Sequence, residues 1–403
     1  MTDDTIIRIA ARGDGITADG RHAALSAPGD TLAADSTLTH GPHHQVPPCI
    51  HFPTCGGCQL QQLDDQSYAE FVVDRIASAL DGQGIATTIR EPHISPPRTR
   101  RRATLHAEAK GGRITLGFAE EKSHAIVDIR ECWILDPRLF ALVAPLRVLL
   151  RKLNFKRRGD IHLTLADQGP DILITGFAPD GLPAAEALVA FCETHGIARV
   201  AFDDGLGPET RWEPDACTIT LGGVPVPLPP ASFLQATVDG EAALTAAVLD
   251  AIGKPATVAD LFAGLGTFTL AIPAKVYAAE AGRDALGSLK AGANAARRAV
   301  FPEHRDLYRR PLTVAELDRF DAVVLDPPRS GAREQIVALA ASKTPVIAYV
   351  SCNPATFARD AKDLYDAGWQ IDWIQPVGQF RWSTHVELAA KFTRSSSAAS
   401  SSS

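Results

Sequence analysis

In the last third of the chain, short apolar runs alternate with helical patterns, and this alternation constrains the fold more than any other feature. Four strands are predicted, each followed by a helix, at residues 258–260, 275–280, 321–326 and 345–351. Strands and helices that alternate at this spacing form a parallel sheet with helices on both faces. The sequence therefore predicts an α/β fold here, with ligands bound at the carboxyl ends of the strands.

The chain has 403 residues, which leaves room for more than one domain. A proline-rich segment, VPVPLPP at 224–230, is predicted to be a stiff linker and a domain boundary. The serine-rich end is of low complexity and is predicted to be disordered. We therefore divide the chain into a short N-terminal β segment (1–45), a mixed α/β central region (46–230), a C-terminal α/β domain (231–394) and a disordered tail (395–403).

Composition indicates a globular protein that does not enter membranes. Hydrophobic residues make up 45% of the chain and charged residues 22%, and no apolar run is long enough to span a bilayer. The N-terminal residues have neither the basic start nor the apolar stretch of a signal peptide. We expect a cytoplasmic monomer with no membrane contact.

Positive charge is concentrated in one segment, although the whole chain has a net charge of −7. Residues 96–158 carry 15 Lys and Arg against 6 Asp and Glu. Most of these cations fall into two runs: Arg98, Arg100, Arg101 and Arg102, and then Arg151, Lys152, Lys156, Arg157 and Arg158. Clustered cations suit phosphate backbones, so the segment predicts contact with RNA; an ordinary solvated surface is the alternative.

A glycine-containing loop, DLFAGLG at 260–266, follows the first predicted strand of the C-terminal domain. Gly264 and Gly266 would let the backbone turn sharply and approach a ligand. Glu280 ends the next strand, where an acid can bind two ribose hydroxyls. The loop lacks the third glycine of a dinucleotide site and resembles the loop with which class I methyltransferases hold S-adenosylmethionine. A plain glycine-rich turn is the alternative.

Two further motifs follow strands of the same sheet. DPPR at 326–329 offers Asp326 as an acceptor for adenosine or for a substrate base. SCNP at 351–354 places Cys352 before a helix that Asn353 caps and Pro354 begins, where the helix dipole would lower the pKa of the thiol. The alternatives are a nucleophile and an inert buried cysteine. Its position at a strand end favours the nucleophile.

A thiolate would give a methyltransferase access to carbon 5 of uracil, which is otherwise a poor nucleophile. Addition of sulfur to carbon 6 produces an enolate whose carbon 5 can attack a methyl group, and a base must then remove the carbon 5 proton. The segment THVE at 384–387 offers two candidate bases. We favour Glu387, with His385 as the alternative.

Four motifs, DLFAGLGTFTL, LDPPRSG, SCNPATFARD and STHVE, occur here in the order and spacing of the RNA (uracil-5-)-methyltransferase family, which the chain resembles from about residue 46 to 394. The resemblance implies a class I, Rossmann-like methyltransferase domain, with Cys352 as nucleophile and Glu387 as base. The cofactor contacts that it implies, together with the loop, are Gln235, Phe262, Gly264, Gly266, Thr267, Glu280, Asp306 and Asp326. The chain departs from the family pattern at two of them, since many members have Asn in place of Thr267 and Asp306.

Three cysteines with the spacing C-x5-C-x2-C, namely Cys49, Cys55 and Cys58, precede a distant fourth, Cys132. This spacing is compatible with an iron–sulfur cluster and, less well, with zinc. The chain resembles the 23S rRNA branch of the family in its CGGCQ segment, and the resemblance implies a 4Fe-4S cluster on these four cysteines in the central α/β region. The N-terminal segment resembles a shortened RNA-binding β-barrel of the family.

The expected function is therefore methylation of carbon 5 of a uridine in RNA, most simply in 23S rRNA. A tRNA substrate and a non-catalytic RNA-binding protein that keeps the fold are the alternatives. A cytosine-5 methyltransferase would carry a cysteine in the DPPR segment, and an exocyclic-amine methyltransferase would carry an aromatic residue in place of Arg329. Neither is present.

Overall fold

The computed structural model describes residues 4–394, so the predicted disordered tail at 395–403 lies outside the described residues. The strands are β1 (Asp4–Ile9), β2 (Gly15–Thr17), β3 (His22–Ala23), β4 (Thr31–Leu32), β5 (Leu38–Thr39), β6 (His93–Ile94), β7 (Arg102–Lys110), β8 (Arg113–Gly117), β9 (Arg158–Ala166), β10 (Gly169–Thr175), β11 (Arg199–Asp203), β12 (Glu209–Trp212), β13 (Thr218–Leu221), β14 (Val224–Pro227), β15 (Thr257–Leu261), β16 (Lys275–Glu280), β17 (Val300–His304), β18 (Ala322–Leu325), β19 (Val346–Ser351), β20 (Trp369–Gly378) and β21 (Glu387–Arg394). The helices are α1 (Asp65–Asp81), α2 (Pro137–Phe140), α3 (Val143–Lys152), α4 (Leu182–His195), α5 (Val238–Ile252), α6 (Arg283–Ala295), α7 (Val314–Leu317), α8 (Arg333–Ala341) and α9 (Pro354–Asp366). None of the described helices is long and apolar enough to cross a lipid bilayer.

The C-terminal sheet confirms the predicted α/β fold. Its strand order is β17-β16-β15-β18-β19-β21-β20-β6, and β15 to β19 are parallel. In register, Leu261 lies beside Ala279 and Leu325, so the loops that follow these strands emerge at one edge. The antiparallel strand β21 pairs with β19 and begins at that edge with Glu387. The topology therefore brings the DLFAGLG, DPPR, SCNP and THVE motifs together.

The N-terminal strands form a small antiparallel sheet in the order β3-β2-β1-β4-β5. Its apolar core is small and consists of Ile6, Ala23 and Leu32. Asp30 adds a polar anchor, since its buried carboxylate accepts hydrogen bonds from the backbone N–H groups of Ala27 at 2.8 Å and Gly41 at 2.7 Å. Sheet pairing and this one carboxylate thus support a segment that has little apolar area to bury.

The central sheet has the order β12-β11-β10-β9-β7-β8. Helices α3 and α4 cover one face of it, where alternate residues such as Leu105, Ile161 and Ile172 are buried against Leu146 and Leu188. The other face of β7 and β9 is polar and half-exposed. A sheet with one apolar and one polar face has the period-two pattern expected of mainly antiparallel strands.

The proline-rich segment at 224–230 is not a linker. Val224–Pro227 pairs with Thr218–Leu221 in a two-stranded ribbon, with the valines buried and the prolines exposed. Proline is tolerated there because an outward-facing edge strand does not need every backbone N–H. The ribbon packs on α6 of the C-terminal domain, and α1 packs on α9 and β20, so packing crosses the proposed division at 230.

Arg101 is buried, unlike its neighbours in the arginine run. Its Nη2 donates to Oε2 of Glu241 at 2.5 Å, and its Nε donates to the carbonyl oxygen of Gln235 at 3.0 Å. This residue therefore ties the start of the central sheet to α5 of the C-terminal domain. The expectation that the whole run from Arg100 to Arg102 contacts phosphates is wrong for Arg101, because an arginine held in an interior ion pair cannot reach RNA.

We predict that Arg101→Ala will lower the free energy of unfolding by about 3 kcal/mol, because it leaves the carboxylate of Glu241 buried without its partner. Urea denaturation will measure the change. Arg151→Ala, which removes an exposed cation, should change stability by no more than about 0.5 kcal/mol. Equal effects of the two substitutions would contradict a structural role for Arg101.

Candidate active site

The loop after β15 is shaped by two glycines and one strained residue. Phe262 has a positive φ of 66°, and the N–H groups of Phe262 and Ala263 both donate to the carbonyl oxygen of Ala279. Gly264 has φ 56°, and its N–H donates to Oε2 of Glu280 at 2.9 Å. Gly266 has φ 97°, and a Cβ there would lie 2.4 Å from Cδ1 of Leu289. Only glycine fits that position, as the motif predicted.

The residues around this loop fit S-adenosylmethionine. Asp260 is fully buried at the end of β15, and its Oδ1 has no hydrogen-bond partner within residues 4–394. A Cβ on Gly264 would meet no atom within 4 Å, so the loop borders open space. Glu280 is half-buried and accepts a hydrogen bond from the N–H of Gly282 at 2.6 Å as well as the one from Gly264. Buried acceptors around an open loop suit the ribose hydroxyls and the ammonium group of the cofactor.

Thr267 and Asp306, the two residues that depart from the family pattern, have different surroundings. Thr267 is half-buried in the loop. Oδ1 of Asp306 accepts from the N–H of Tyr308 at 3.0 Å and from that of Arg309 at 3.3 Å, so its carboxylate caps its own turn. This turn places the ring of Tyr308 against that of Phe262, with centroids 5.6 Å apart. An aromatic pair therefore forms one side of the loop, and sequence reasoning missed Tyr308.

Cys352 lies directly after β19, half-buried, two residues before α9 begins at Pro354. Asn353 caps the helix as predicted, since its side chain accepts from the N–H of Ala355 at 3.2 Å. Nevertheless, burial and the charges of Glu387 and Asp326 raise the pKa of the Cys352 thiol to about 11. The prediction that the helix dipole lowers the pKa of Cys352 is wrong for the protein without its ligands. Burial and two nearby carboxylates raise this pKa by more than one helix terminus lowers it.

Glu387 is buried, and its carboxylate accepts a hydrogen bond from Nε2 of Gln379. The same amide donates to Oε1 of Gln235 at 2.6 Å, while Oε1 of Gln379 accepts from the N–H of Ala236 at 2.7 Å. Burial raises the pKa of Glu387 to about 7, although the hydrogen bond from Gln379 and the charge of Arg102 both act to lower it. A carboxyl that titrates near neutral pH suits a general base.

Asp326 is half-buried beside these groups. Burial, followed by the charges of Glu387 and Asp260, raises the pKa of Asp326 well above its usual value. A carboxyl with a raised pKa keeps its proton to higher pH than an ordinary aspartate, and in the protonated form it can donate a hydrogen bond. The site therefore combines a thiol, a candidate base and a candidate donor.

A cleft of about 330 Å³ lies next to this site. It is lined by segments that are distant in sequence, and the lining includes Gly56, Gln59, Arg100, Arg102, Thr104, His162, Ser383 and His385. Nη2 of Arg329 donates to Nδ1 of His385 at 3.1 Å, and burial together with Arg329 and Arg100 lowers the pKa of His385. A lowered pKa and the contact of Arg329 with Nδ1 make His385 a weaker candidate base than Glu387.

The four predicted metal-binding cysteines line a single cavity. Cys49, Cys55, Cys58 and Cys132 meet there with apolar side chains that include Phe52, Phe118, Ile129 and Ile134. Burial is the main cause that raises the pKa of the Cys58 thiol to about 12 and that of Cys132 to about 11, and the other cysteines of the cavity contribute to both shifts.

Within residues 4–394, no three His, Cys, Asp or Glu side chains lie close enough to bind one metal ion. Cysteine thiols in an apolar cavity are the ligands that the predicted iron–sulfur cluster would need.

Comparison with known proteins adds independent information. The family model described as tRNA (Uracil-5-)-methyltransferase matches residues 297–394. An RNA methyltransferase of Zymomonas mobilis is 50% identical over 393 residues, 96% of this chain and 99% of the relative. The 23S rRNA (uracil(1939)-C(5))-methyltransferase RlmD of Photorhabdus laumondii is 30% identical over 376 residues, 89% of this chain and 84% of the relative. The structure of Pyrococcus abyssi tRNA (uracil-54, C5)-methyltransferase with S-adenosyl-L-homocysteine matches with a TM-score of 0.77 at 22% identity, over 97% of this chain and 99% of that one.

The fold and the loop after β15 together define a class I S-adenosylmethionine-dependent methyltransferase. Sequence identity along nearly the whole chain places it among the methyltransferases that act on RNA. The chain belongs to the RNA (uracil-5-)-methyltransferase family, as its four motifs had indicated.

Gln379 is the main residue of the site that sequence reasoning missed. It precedes the THVE motif but has no motif of its own, and its partner Gln235 is 144 positions away. A lone polar residue between apolar ones in IQPVGQF was the only signal available.

We predict that Gln379→Leu will raise the pKa of Glu387, because the lost N–H donor stabilises the carboxylate. The acidic limb of the pH–rate profile should move up by about one pH unit, since less of the base is then ionised at neutral pH. Multiple-turnover formation of released, methylated RNA, measured across pH, will show the shift, because release of the product requires the base.

Gln335→Leu is the matched control, because Gln335 is equally buried and its amide bonds only to the backbone of Leu312. It should lower stability and leave the limb unchanged. The same limb in wild type and Gln379→Leu would contradict the assignment.

Proposed function

We propose that the protein methylates carbon 5 of a uridine in 23S rRNA through a covalent adduct between Cys352 and carbon 6. The observation that carries the proposal is the convergence of Cys352 and Glu387 at the ends of neighbouring strands β19 and β21, beside the cofactor loop. The 30% identity to RlmD supports 23S rRNA as the substrate.

The chemistry assigns one role to each side chain. The sulfur of Cys352, once deprotonated, adds to carbon 6, and the electron pair moves through carbon 5. When bound, the cofactor would supply an electrophilic methyl group on a positively charged sulfur, which carbon 5 would take up while the sulfur leaves as a neutral thioether. Glu387 then takes the proton from carbon 5, and the bond between sulfur and carbon 6 breaks, which restores the double bond and the free cysteine. Asp326 would hydrogen-bond to the base or to the adenosine, as an acceptor when it is ionised and as a donor when it holds its proton.

The target uridine must leave its stack to reach Cys352. The cleft beside the site provides the entrance, and Arg100 and Arg102 on its wall would bind the phosphates on either side of the extruded base. Both side chains are half-buried, and this burial lowers their pKa values. A bound phosphate would therefore stabilise the charged form of Arg100 and Arg102, which burial disfavours.

A tRNA substrate is the second candidate. It is favoured by the description of the family model that matches residues 297–394, and the fold match to an archaeal tRNA enzyme is compatible with it. The cysteine cavity favours 23S rRNA instead, because the resemblance to the rRNA branch includes these cysteines. A non-catalytic role would leave the convergence of Cys352 and Glu387 without a purpose.

We further propose that Cys49, Cys55, Cys58 and Cys132 bind a 4Fe-4S cluster. Such a cluster would tie the loop at 49–58 to the segment after β8, which otherwise share few apolar contacts. The N-terminal sheet would be a remnant of an RNA-binding barrel. We expect the enzyme to act as a monomer in the cytoplasm.

The decisive experiment uses two variants that should fail at different steps. Cys352→Ala should bind the cofactor but form no covalent complex with unmodified 23S rRNA. Glu387→Gln should add and methylate, then stall, because release requires the base. Its adduct should survive denaturing electrophoresis and carry label from the methyl group. Methylation by Cys352→Ala would exclude the covalent mechanism, and methylation of tRNA alone would move the assignment to the second candidate.

We predict about four irons per chain in anaerobically purified protein, with the brown colour of a 4Fe-4S cluster. Cys132→Ser should lose most of the iron, because one of four ligands is missing. Cys192→Ser is the control, since Cys192 is buried in the core of the central sheet. One equivalent of zinc without iron, or equal iron in the two variants, would contradict the cluster.

A further inference from the structure

The polar face of the central sheet, opposite the face covered by α3 and α4, extends from the cleft to the far end of β7. On β7 this face carries Arg102, Thr104, His106, Glu108 and Lys110, and on β9 it carries Arg158, Asp160, His162 and Thr164. Arg102, Thr104 and His162 line the cleft, whereas Lys110 lies at the far end of β7. The face is therefore a polar track about 26 Å long, at about 3.3 Å per residue of strand.

Along most of this track, positive groups already have acidic partners. Nδ1 of His106 lies 2.7 Å from Oδ1 of Asp160, and Nε of Arg158 lies 3.1 Å from Oε1 of Glu108. These cross-strand pairs neutralise the middle of the face, so it offers little net charge to a ligand.

The far end of the track is different. The turn after β7 and the turn after α3 enclose a hollow of about 420 Å³, whose lining includes Lys110, Arg151 and Lys156. All three side chains are exposed, and none forms an ion pair with any residue in the described part of the chain. Asn154 and the backbone of Gly111 and Gly112 complete the lining. Three unpaired cations from three segments thus face one concave surface.

We propose that this hollow, here called the distal basic hollow, binds the phosphate backbone of the substrate RNA at a distance from the target uridine. The inference rests on the proposed function and adds a second point of contact to it. A stacked nucleic-acid strand advances about 3.4 Å per nucleotide, so 26 Å corresponds to roughly eight nucleotides from the cleft. Two separated contacts of this kind fix the register of a structured RNA without reading its sequence.

Two simpler explanations, the dipole of α3 and general solubility, account for only some of the cations in the hollow. Arg151 lies in the last turn of α3, where a cation also interacts favourably with the helix dipole. Lys110 and Lys156 lie outside that helix, so the dipole does not explain them. General solubility does not explain the convergence either, because the chain as a whole has a net charge of −7.

The test is a triple variant, Lys110→Gln, Arg151→Gln and Lys156→Gln, in the full-length protein. Binding to unmodified 23S rRNA transcript should weaken by roughly ten-fold, and the slope of log affinity against log salt should fall by about 2 to 3 units, close to one per phosphate contact. Binding to a short oligouridylate, too short to reach from Arg102 to Lys110, should not change.

The matched control replaces Lys290, Arg297 and Arg298, three exposed cations at α6 without ion pairs in the described chain, with Gln. Its affinity and salt slope should equal those of wild type. The proposal is overturned if the two triple variants behave alike, if the short oligouridylate loses as much affinity as the transcript, or if only binding to assembled ribosomal particles weakens, which would indicate a protein partner. Failure of the wild-type protein to form 5-methyluridine would instead refute the proposed function.

Discussion

Three carboxyl groups buried at one edge of the C-terminal sheet dominate the electrostatics of this protein. Burial raises the pKa of Asp260 and of Glu387 to about 7, and the charges of both raise that of Asp326 further. The folded protein therefore holds these protons more tightly than the unfolded chain does. For Glu387 the stabilising effect is complete at low pH and is lost as pH rises from about 4.5 to about 7, at a cost of about 3 kcal/mol. A positively charged cofactor would favour the ionised form of these carboxyl groups and would itself be attracted by it.

The segment that leads to Glu387 is held by residues of the central region (46–230), although the sequence analysis assigned the two to different domains. The hydroxyl of Tyr68 on α1 donates to the carbonyl oxygen of Phe380 at 2.9 Å. The N–H groups of Gln59 and Leu60 donate to the carbonyl oxygen of Trp382 at 2.8 and 3.0 Å. Because Gln59 directly follows Cys58, the cysteine cavity and the segment leading to Glu387 share one hydrogen-bonded support, so order in one favours order in the other.

The sequence was informative wherever a local rule determined the structure. Apolar periodicity located β15, β16, β18 and β19 but missed the edge strand β17, and the steric demand for glycine at Gly266 located the loop. It failed where a residue's environment comes from distant partners. The sequence could not distinguish Arg101 from the neighbouring arginines, because its ion pair with Glu241 exists only in the folded chain. The prolines after Val224 were predicted to form a linker, because the pairing of their strand with Thr218–Leu221 cannot be read from the sequence. Gln379 belongs to the same group, because its role exists only when Gln235 and Glu387 meet.

The raised pKa of Cys352 shows how such distant partners alter the chemistry. A helix terminus contributes about 0.3 to 1 kcal/mol toward a thiolate. Burial beside Glu387 and Asp326 contributes more in the opposite direction, since it raises the pKa from 9.0 to about 11. The positive charge of Arg329 opposes this shift. The balance therefore changes whenever another positive charge enters the site or one of the carboxyl groups becomes protonated. The reactivity of this cysteine is a property of the filled site and cannot be read from the SCNP motif alone.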